Sequence, residues 1–216
     1  MRHVVWDWNG TLLDDLDVVV ESVNAALRSL GADPIDHAVY RRHYTRPVGR
    51  FYEALLGRQV DPTEMQSIDD VFHEAYLDGV GGADLAAGAR EAIDAVQAAG
   101  GTQSIASMLR HDRLVTAVRE AGVDDLMLAV DGHRGVGGET KEEHLRHHLA
   151  QLRRLYDLDG VGVVLVGDIT DDADAAAASG IECVLVDAGS QERATLEAAG
   201  VPVVGSLREA VTVAGL

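Results

Sequence analysis

Apolar side chains recur along this chain at two different periods. The run His3 to Trp6 reads as a short buried strand that ends in Asp7, after which Gly10 and Thr11 turn the backbone. From Asp15 to Leu30 the apolar positions Leu16, Val19, Val20, Val23, Ala26, Leu27 and Leu30 fall at helical spacing, and Gly31 suits a helix C-terminus. Asp36 is placed to cap a second helix through about Tyr44. Arg46-Pro47-Val48-Gly49-Arg50 breaks the pattern before a third helix to Leu56, and a fourth is expected from Thr63 to Leu77. Nothing between Leu16 and Leu77 reads as a strand. Gly79 to Gly82 is a Gly-rich return, and Gly88 to Ala99 is a further helix. Strands Gln103–Ala106, Leu126–Val130, Val161–Val166, Cys183–Val186 and Val201–Val204 then alternate with helices Asp112–Ala121, Glu139–Leu155 and Asp171–Ser179. A helix between the last two strands and another from Ser206 to Val213 complete the pattern. Alternation of this kind implies an α/β chain with a parallel sheet covered on both faces. The expected core is 1–15 and 83–216, with an inserted module of four short helices at 16–82.

Composition narrows the function. The 216 residues suffice for one domain with an insertion and a sizeable core. The net charge of −18 is spread along the chain, so it reads as a solvated acidic surface. Such a surface makes a poor nucleic-acid binder. It also means that any anion site needs local cationic compensation. Cys183 is the only cysteine, which excludes an intrachain disulfide. No charged-then-apolar leader precedes the first strand and no apolar run approaches membrane-spanning length, so a cytoplasmic protein without a membrane partner is expected.

Four stretches carry candidate chemistry. Asp7 closes the first strand, and ligands of open α/β sheets bind outside the carboxyl ends of strands. Beside it, the backbone of Gly10 and the hydroxyl of Thr11 are suited to an anion. Ser107 follows the second core strand, where its hydroxyl and the Met108 N–H can donate to phosphate oxygens; taken alone, a Ser after a strand is most often a plain turn or helix cap. Lys141, the only lysine, opens a helix. A compact ammonium on a flexible stem suits joint contact with phosphate and carboxylate. The apolar strand to Val166 runs into Gly167-Asp168, with Asp171 and Asp172 close behind, the acidic oxygens that a small hard cation needs.

The order Asp7-x-Asn9-Gly10-Thr11, Ser107, Lys141, Gly167-Asp168-x-x-Asp171-Asp172 resembles the four motifs of the haloacid-dehalogenase superfamily of aspartate-nucleophile phosphatases. The resemblance covers essentially the whole chain. The helical insertion lies where phosphoglycolate-phosphatase-like members carry a helical cap. It implies a Rossmann-like parallel-sheet core with an inserted four-helix cap, and an Mg²⁺-dependent phosphatase of a small phosphorylated metabolite. Asp7 would attack phosphorus to give an aspartyl-phosphate. Mg²⁺ would sit among Asp7, Asp168, the Asn9 backbone carbonyl and the phosphate, and Asp172 or Asp171 would orient water. Thr11, Ser107 and Lys141 would hold the equatorial oxygens. Arg46 and Arg50 are candidates to grip a substrate anion, with a role as solvated surface arginines equally open.

One position departs from the family pattern. The usual second Asp, which protonates the leaving oxygen and later activates water, is Asn9 here. An amide does neither, which implies slow turnover or selectivity for activated phosphates. A third alternative is an acid or base borrowed from the substrate or from the insertion, where His43, Tyr44 and His73 are candidates. Competing readings are a non-catalytic phosphate-binding or assembly protein, and a phosphotransferase or mutase. A Schiff-base hydrolase of the same superfamily requires a second lysine and is excluded. A metal-free dehalogenase has no use for the acidic cluster at 168–172.

Overall fold

A computed structural model describes residues 2–135, 139–156, 158 and 162–216. Strand β1 (Arg2–Trp6) leads into four helices: α1 (Leu16–Ser29), α2 (His37–His43), α3 (Val48–Leu56) and α4 (Pro62–Gly79). There follow α5 (Ala89–Ala98), β2 (Thr102–Arg110), α6 (His111–Glu120), β3 (Val130–His133), α7 (Lys141–Tyr156), β4 (Gly162–Gly167) and α8 (Thr170–Ser179). The chain ends in β5 (Glu182–Val186), α9 (Arg193–Glu197), β6 (Val203–Val204) and α10 (Leu207–Val213). Among the described residues, the strands form one parallel sheet in the order β3-β2-β1-β4-β5-β6. The order reverses at β1, which pairs with β2 on one side and β4 on the other. The crevice beyond the carboxyl ends of these strands is where open α/β sheets bind ligands.

Strand alternation decides which helices cover which face. Val4 and Trp6 of β1 pack with Ile93 and Val96 of α5, Leu114 and Val118 of α6, and Leu207 and Val211 of α10. Val5, one position out of phase, packs with Leu145 and Leu149 of α7, Ala173 and Ala176 of α8, and Leu196 of α9. Helix α5 buries Ala89, Ala92, Ile93 and Val96, the spacing that puts one stripe on the sheet. Each large side chain so buried contributes about 1.5–3 kcal/mol.

The four early helices have their own core of Val20, Val23, Leu27, Tyr40, Phe51, Tyr52 and Ile68. Their sequence signals act locally as expected. The Asp36 carboxylate caps α2 by accepting from the Val39 N–H at 2.8 Å, and Asp61 caps α4. The chain leaves and re-enters the sheet region side by side. Leu13 bridges Leu85 antiparallel, the Asp14 N–H donates to the Asp84 carbonyl at 3.0 Å, and the Ala86 N–H donates to the Leu12 carbonyl at 2.8 Å.

Three boundaries differ from expectation. Strand β2 runs on through Ser107 to Arg110, with a pairing shift between Ser107 and Arg110, so Ser107 lies within the strand rather than after it. The third strand falls at Val130–His133, because Asp124–Leu126 forms a 3-10 turn whose apolar residue packs inward. Its polar Asp131 is buried because Arg134 and His148 pair with it. The final strand shortens to two residues. The strand expected from Val161 begins outside the described residues.

Beneath α7 lies a buried polar chain. His3 Nδ1 contacts Thr102 Oγ1 at 2.8 Å, and its Nε2 contacts Ser104 Oγ at 2.9 Å. Ser104 Oγ contacts His148 Nε2 at 2.8 Å, and His148 Nδ1 lies 3.5 Å from Asp131. Burial, reinforced by His148, pushes the His3 pKa down to about 4. The unfolded ring protonates below about 6.5. Stability that is complete above pH 6.5 is therefore lost as pH falls towards 4, by at most about 3 kcal/mol from this residue. Urea unfolding of wild type against His3→Gln across pH 7.5 to 4.5 checks this. The wild type is expected to lose more stability over that interval than the variant, and parallel curves would exclude the assignment.

Candidate active site

Three elements deliver acids to one point at the carboxyl edge of the sheet. Asp7 follows β1, Asp168 follows β4, and Asp172 lies in the first turn of α8. All three are buried, and each offers a carboxylate oxygen within 4.8 Å of the others. Lys141, at the first position of α7, reaches the same point. Its Nζ lies 2.7 Å from Asp7 Oδ2 and 2.5 Å from Asp172 Oδ1. The second Asp7 oxygen accepts the Trp8 N–H at 2.7 Å.

Backbone geometry lets these groups meet. The second Asp172 oxygen accepts the N–H groups of Asp168 and Ile169, both at 3.2 Å, which folds the carboxylate back over the strand end. A side chain at Gly167 would collide with it. Gly10, at φ 70°, passes so close to Asp168 that only a residue without a Cβ fits. Asp168 accepts the Ser190 N–H at 2.7 Å and the Thr11 hydroxyl at 3.3 Å.

The charge balance is unfavourable as it stands. Burial, together with Asp172 and Asp7, pushes the Asp168 pKa up to about 7. Burial and Asp7 push Asp172 up to about 6 against the pull of Lys141. Burial opposes the charge on Lys141, but Asp172 and Asp7 outweigh it and hold the ammonium protonated. One buried cation facing three carboxylates leaves room for a divalent ion, and an all-oxygen donor set with few carboxylates is what Mg²⁺ accepts.

Above this floor opens a cavity of about 670 Å³. It reaches from Asp7, Asn9, Ser107, Lys141 and Asp168 up into the helical insertion. Residues 4–186 match the family model of haloacid dehalogenase-like hydrolases. The chain belongs to that family. The family match and the phosphatase relatives make this haloacid dehalogenase-like hydrolase an enzyme of phosphatase type. It is 27% identical over 194 residues to a phosphoglycolate phosphatase of Mesorhizobium japonicum, covering 88% of this chain and 84% of that one. It is 29% identical over 193 residues to the tyrosine-protein kinase PtkA of Mycobacterium tuberculosis, covering 86% of this chain but 62% of that one. Among solved structures, a predicted phosphatase from Clostridium acetobutylicum superposes with a TM-score of 0.82 at 17% identity over 100% of this chain and 99% of that one. The PtkA structure gives 0.80 at 22% identity, over 100% and 98%. These likenesses establish the α/β fold with its helical insertion. No helix among the described residues is long and apolar enough to cross a membrane.

In this haloacid dehalogenase-like hydrolase the expected site residues divide. Asp7, Lys141, Asp168 and Asp172 converge, and Ser107 and Met108 line the cavity. Asp171 turns instead towards Arg46, at 3.7 Å, joining α8 to the insertion. Arg46 lines the cavity; Arg50 is exposed and outside its lining. The Gly10 N–H is taken by Asp15 Oδ1 at 2.9 Å and the Thr11 hydroxyl by Asp168, so neither points freely at an anion. Of the expected acid–base substitutes, Tyr44 and His73 line the cavity and His43 is exposed outside its lining.

Sequence reading missed Asp15 and Tyr76. The Asn9 amide donates to Asp15 Oδ2 at 2.7 Å and to the Tyr76 oxygen at 2.6 Å, and the Tyr76 hydroxyl donates to Asp15 at 2.7 Å. Burial raises the Asp15 pKa against the hydrogen bonds from Tyr76, Asn9 and Gly10. The signal lay in the sequence as an acid six residues after Asn9, one turn from the strand end.

Removing one member of a buried ion pair costs about 3–5 kcal/mol. Lys141→Met is therefore expected to lose that much at pH 8, measured by denaturant unfolding. Folded Asp168 and Asp172 bind protons more readily than their unfolded counterparts, so their protonation favours the fold at low pH and that contribution disappears as pH rises through 6 to 7. The loss should shrink at pH 5.5, and an equal loss at both pH values would refute this account.

Proposed function

We propose that this hydrolase removes phosphate from a small phosphorylated substrate through Asp7 as nucleophile, with Mg²⁺ as cofactor. The observation that carries the reading is the meeting of Asp7, Lys141, Asp168 and Asp172 at the floor of a cavity. The Asp7 carboxylate bonds to phosphorus as the ester P–O bond breaks, and the leaving oxygen takes the electron pair. Water then attacks phosphorus, and Asp7 is released as carboxylate with inorganic phosphate. Lys141 orients Asp7 and offsets the charge that builds on the phosphoryl oxygens, joined by Ser107 and the Met108 N–H. Mg²⁺, held by Asp7, Asp168, Asp172 and the Asn9 carbonyl, would screen repulsion between nucleophile and phosphate. The cluster favours Asp172 over Asp171 for this task, since Asp171 faces Arg46. We further assign residues 16–82 as a cap over a core of 1–15 and 83–216, excluding water when substrate is bound. Buried, unpaired Cys183 fits a cytoplasmic setting.

Asn9 modifies this chemistry. Its amide supplies no general acid or base, a contribution worth about 10²–10⁴-fold. Slow attack by water gives a long-lived aspartyl-phosphate, which favours a second reading as a phosphotransferase. The likeness to a protein named as a kinase accords with that reading.

Asp7→Asn is expected to abolish Mg²⁺-dependent phosphate release; a variant retaining it would exclude Asp7 as nucleophile, and a wild type releasing none would favour a binding protein. Mg²⁺ at 100 times its Kd should stabilise the wild type by about 2.7 kcal/mol, read as a rise in Tm. Asp168→Asn should lose that rise. Asn9→Asp with Asp15→Asn exchanges carboxylate and amide across one hydrogen bond. This double variant is expected to hydrolyse an alkyl phosphate about 100-fold faster than wild type, and an unchanged kcat would mean that the amide is not limiting.

A further inference from the structure

The cavity above Asp7 has an unusual wall. Of the chain's seven tyrosines and phenylalanines, six line it: Tyr40, Tyr44, Phe51, Tyr52, Phe72 and Tyr76. They come from two sets of helices. Tyr40 of α2, Tyr44 just after it, and Phe51 and Tyr52 of α3 form one connected cluster, with ring centroids 5.0–5.7 Å apart. Phe72 and Tyr76 form a stacked pair on α4, 5.9 Å apart and 12° from parallel. A volume of about 670 Å³ is typical of sites for drug-sized molecules, about 300–1,000 Å³. Tyr40, Phe51, Tyr52 and Tyr76 are buried, the first three within the insertion's own core, and Tyr44 and Phe72 are the rings partly open to the cavity. Of the three arginines in the lining, Arg46 faces Asp171 and Arg110 pairs with Asp112, so Arg113 is the one an aliphatic carboxylate would have to recruit.

A second observation on the floor of the same cavity points the same way. Both N–H bonds of the Asn9 amide are used, on Asp15 and on Tyr76, and the Tyr76 proton is given to Asp15. The position that would protonate a leaving oxygen therefore has nothing to give. An alkoxide leaves poorly without that proton, since its conjugate acid ionises near the value of water, about 15.7. A phenoxide, whose conjugate acid ionises near 10 as in tyrosine, departs unaided far more readily.

We propose that the substrate class is the aryl phosphate monoester, in which an aromatic ring sits directly on the ester oxygen. The ring packs against Phe72 and Tyr44, the two partly open rings of the cavity, while phosphorus faces Asp7. Asp7 Oδ forms the bond to phosphorus, the P–O(aryl) bond breaks, and the aryl oxygen departs with the electron pair and is protonated by solvent. Water then displaces Asp7, its protons passing to the released phosphate and solvent. This inference rests on the phosphatase reading for its chemical half only.

The experiment compares phenyl phosphate, benzyl phosphate and phosphoglycolate as substrates with Mg²⁺, alongside calorimetric binding of phenylphosphonate and ethylphosphonate. Benzyl phosphate carries the ring but an alkyl leaving oxygen. Phenyl phosphate is expected to exceed it at least 100-fold in kcat, with KM values within about threefold. Both should bind better than phosphoglycolate, and phenylphosphonate better than ethylphosphonate. Phe72→Leu should raise KM for phenyl phosphate about threefold to tenfold and affect phosphoglycolate less. Benzyl phosphate or phosphoglycolate turned over as fast as phenyl phosphate would overturn the aryl assignment and leave the phosphatase reading standing. Release of phosphate from none of the esters would overturn the phosphatase reading. Binding then tests the aromatic chamber alone: preference for phenylphosphonate supports it, and equal binding overturns it.

Discussion

A single ammonium holds this site together. Three carboxylates that the sheet brings within a few ångströms of one another cannot all stay ionised away from water unless something opposes them. Lys141 contacts two of the three, Asp7 and Asp172, from the first turn of α7. The position is costly by itself, because a cation at a helix N-terminus opposes the helix dipole. The attraction of two buried acids outweighs both that and the desolvation of the amine. The arrangement depends on β1, β4, α7 and α8 keeping their relative positions, which the apolar faces of the sheet secure. With a net charge of −18, the protein gains nothing from its surface in attracting phosphate, so the positive potential must be local.

The cavity has two chemically different ends. Its floor is charged and hydrogen-bonded, and its roof is aromatic. Between them the Asn9, Asp15 and Tyr76 side chains form a closed group that ties the first turn after β1 to helix α4. Replacing an acid by an amide at position 9 is thus more than a loss. The amide donates two hydrogen bonds where a carboxylate would accept, and Asp15 becomes the acceptor that makes this possible.

Most of the architecture could be read from period alone. Strands β1, β4 and β5 each contain a short unbroken apolar run, Val4–Trp6, Val163–Val166 and Cys183–Val186, and the amphipathic stripes of α1 and α5 are regular. The polar strand β3 escaped because Asp131 and His133 look like loop residues until Arg134, His148 and the neighbouring strand satisfy them. The acids and the lysine of the site were recognisable because each stands at a strand end or opens a helix. Thr11 and Gly10 were legible as neighbours of Asp7, but their donors turn to Asp168 and Asp15, a choice made by three-dimensional proximity. The aromatic wall was hidden for the opposite reason. Tyr40, Phe51 and Phe72 sit at helical spacing, and a stripe of this kind looks the same whether it faces a core or a cavity.

The antiparallel tie between Leu12–Asp14 and Asp84–Ala86 gives the insertion a doorway whose two posts stand together. The ends of nearly seventy residues are held side by side in the folded chain, and because loop-closure cost grows only slowly with length, a longer or shorter insertion changes the cost of closing that doorway little. Helices on the far side are free to change in number, length or lining without disturbing the register of the sheet. A fold wired in this way can acquire a new substrate by redecorating one room while its chemistry stays where it was.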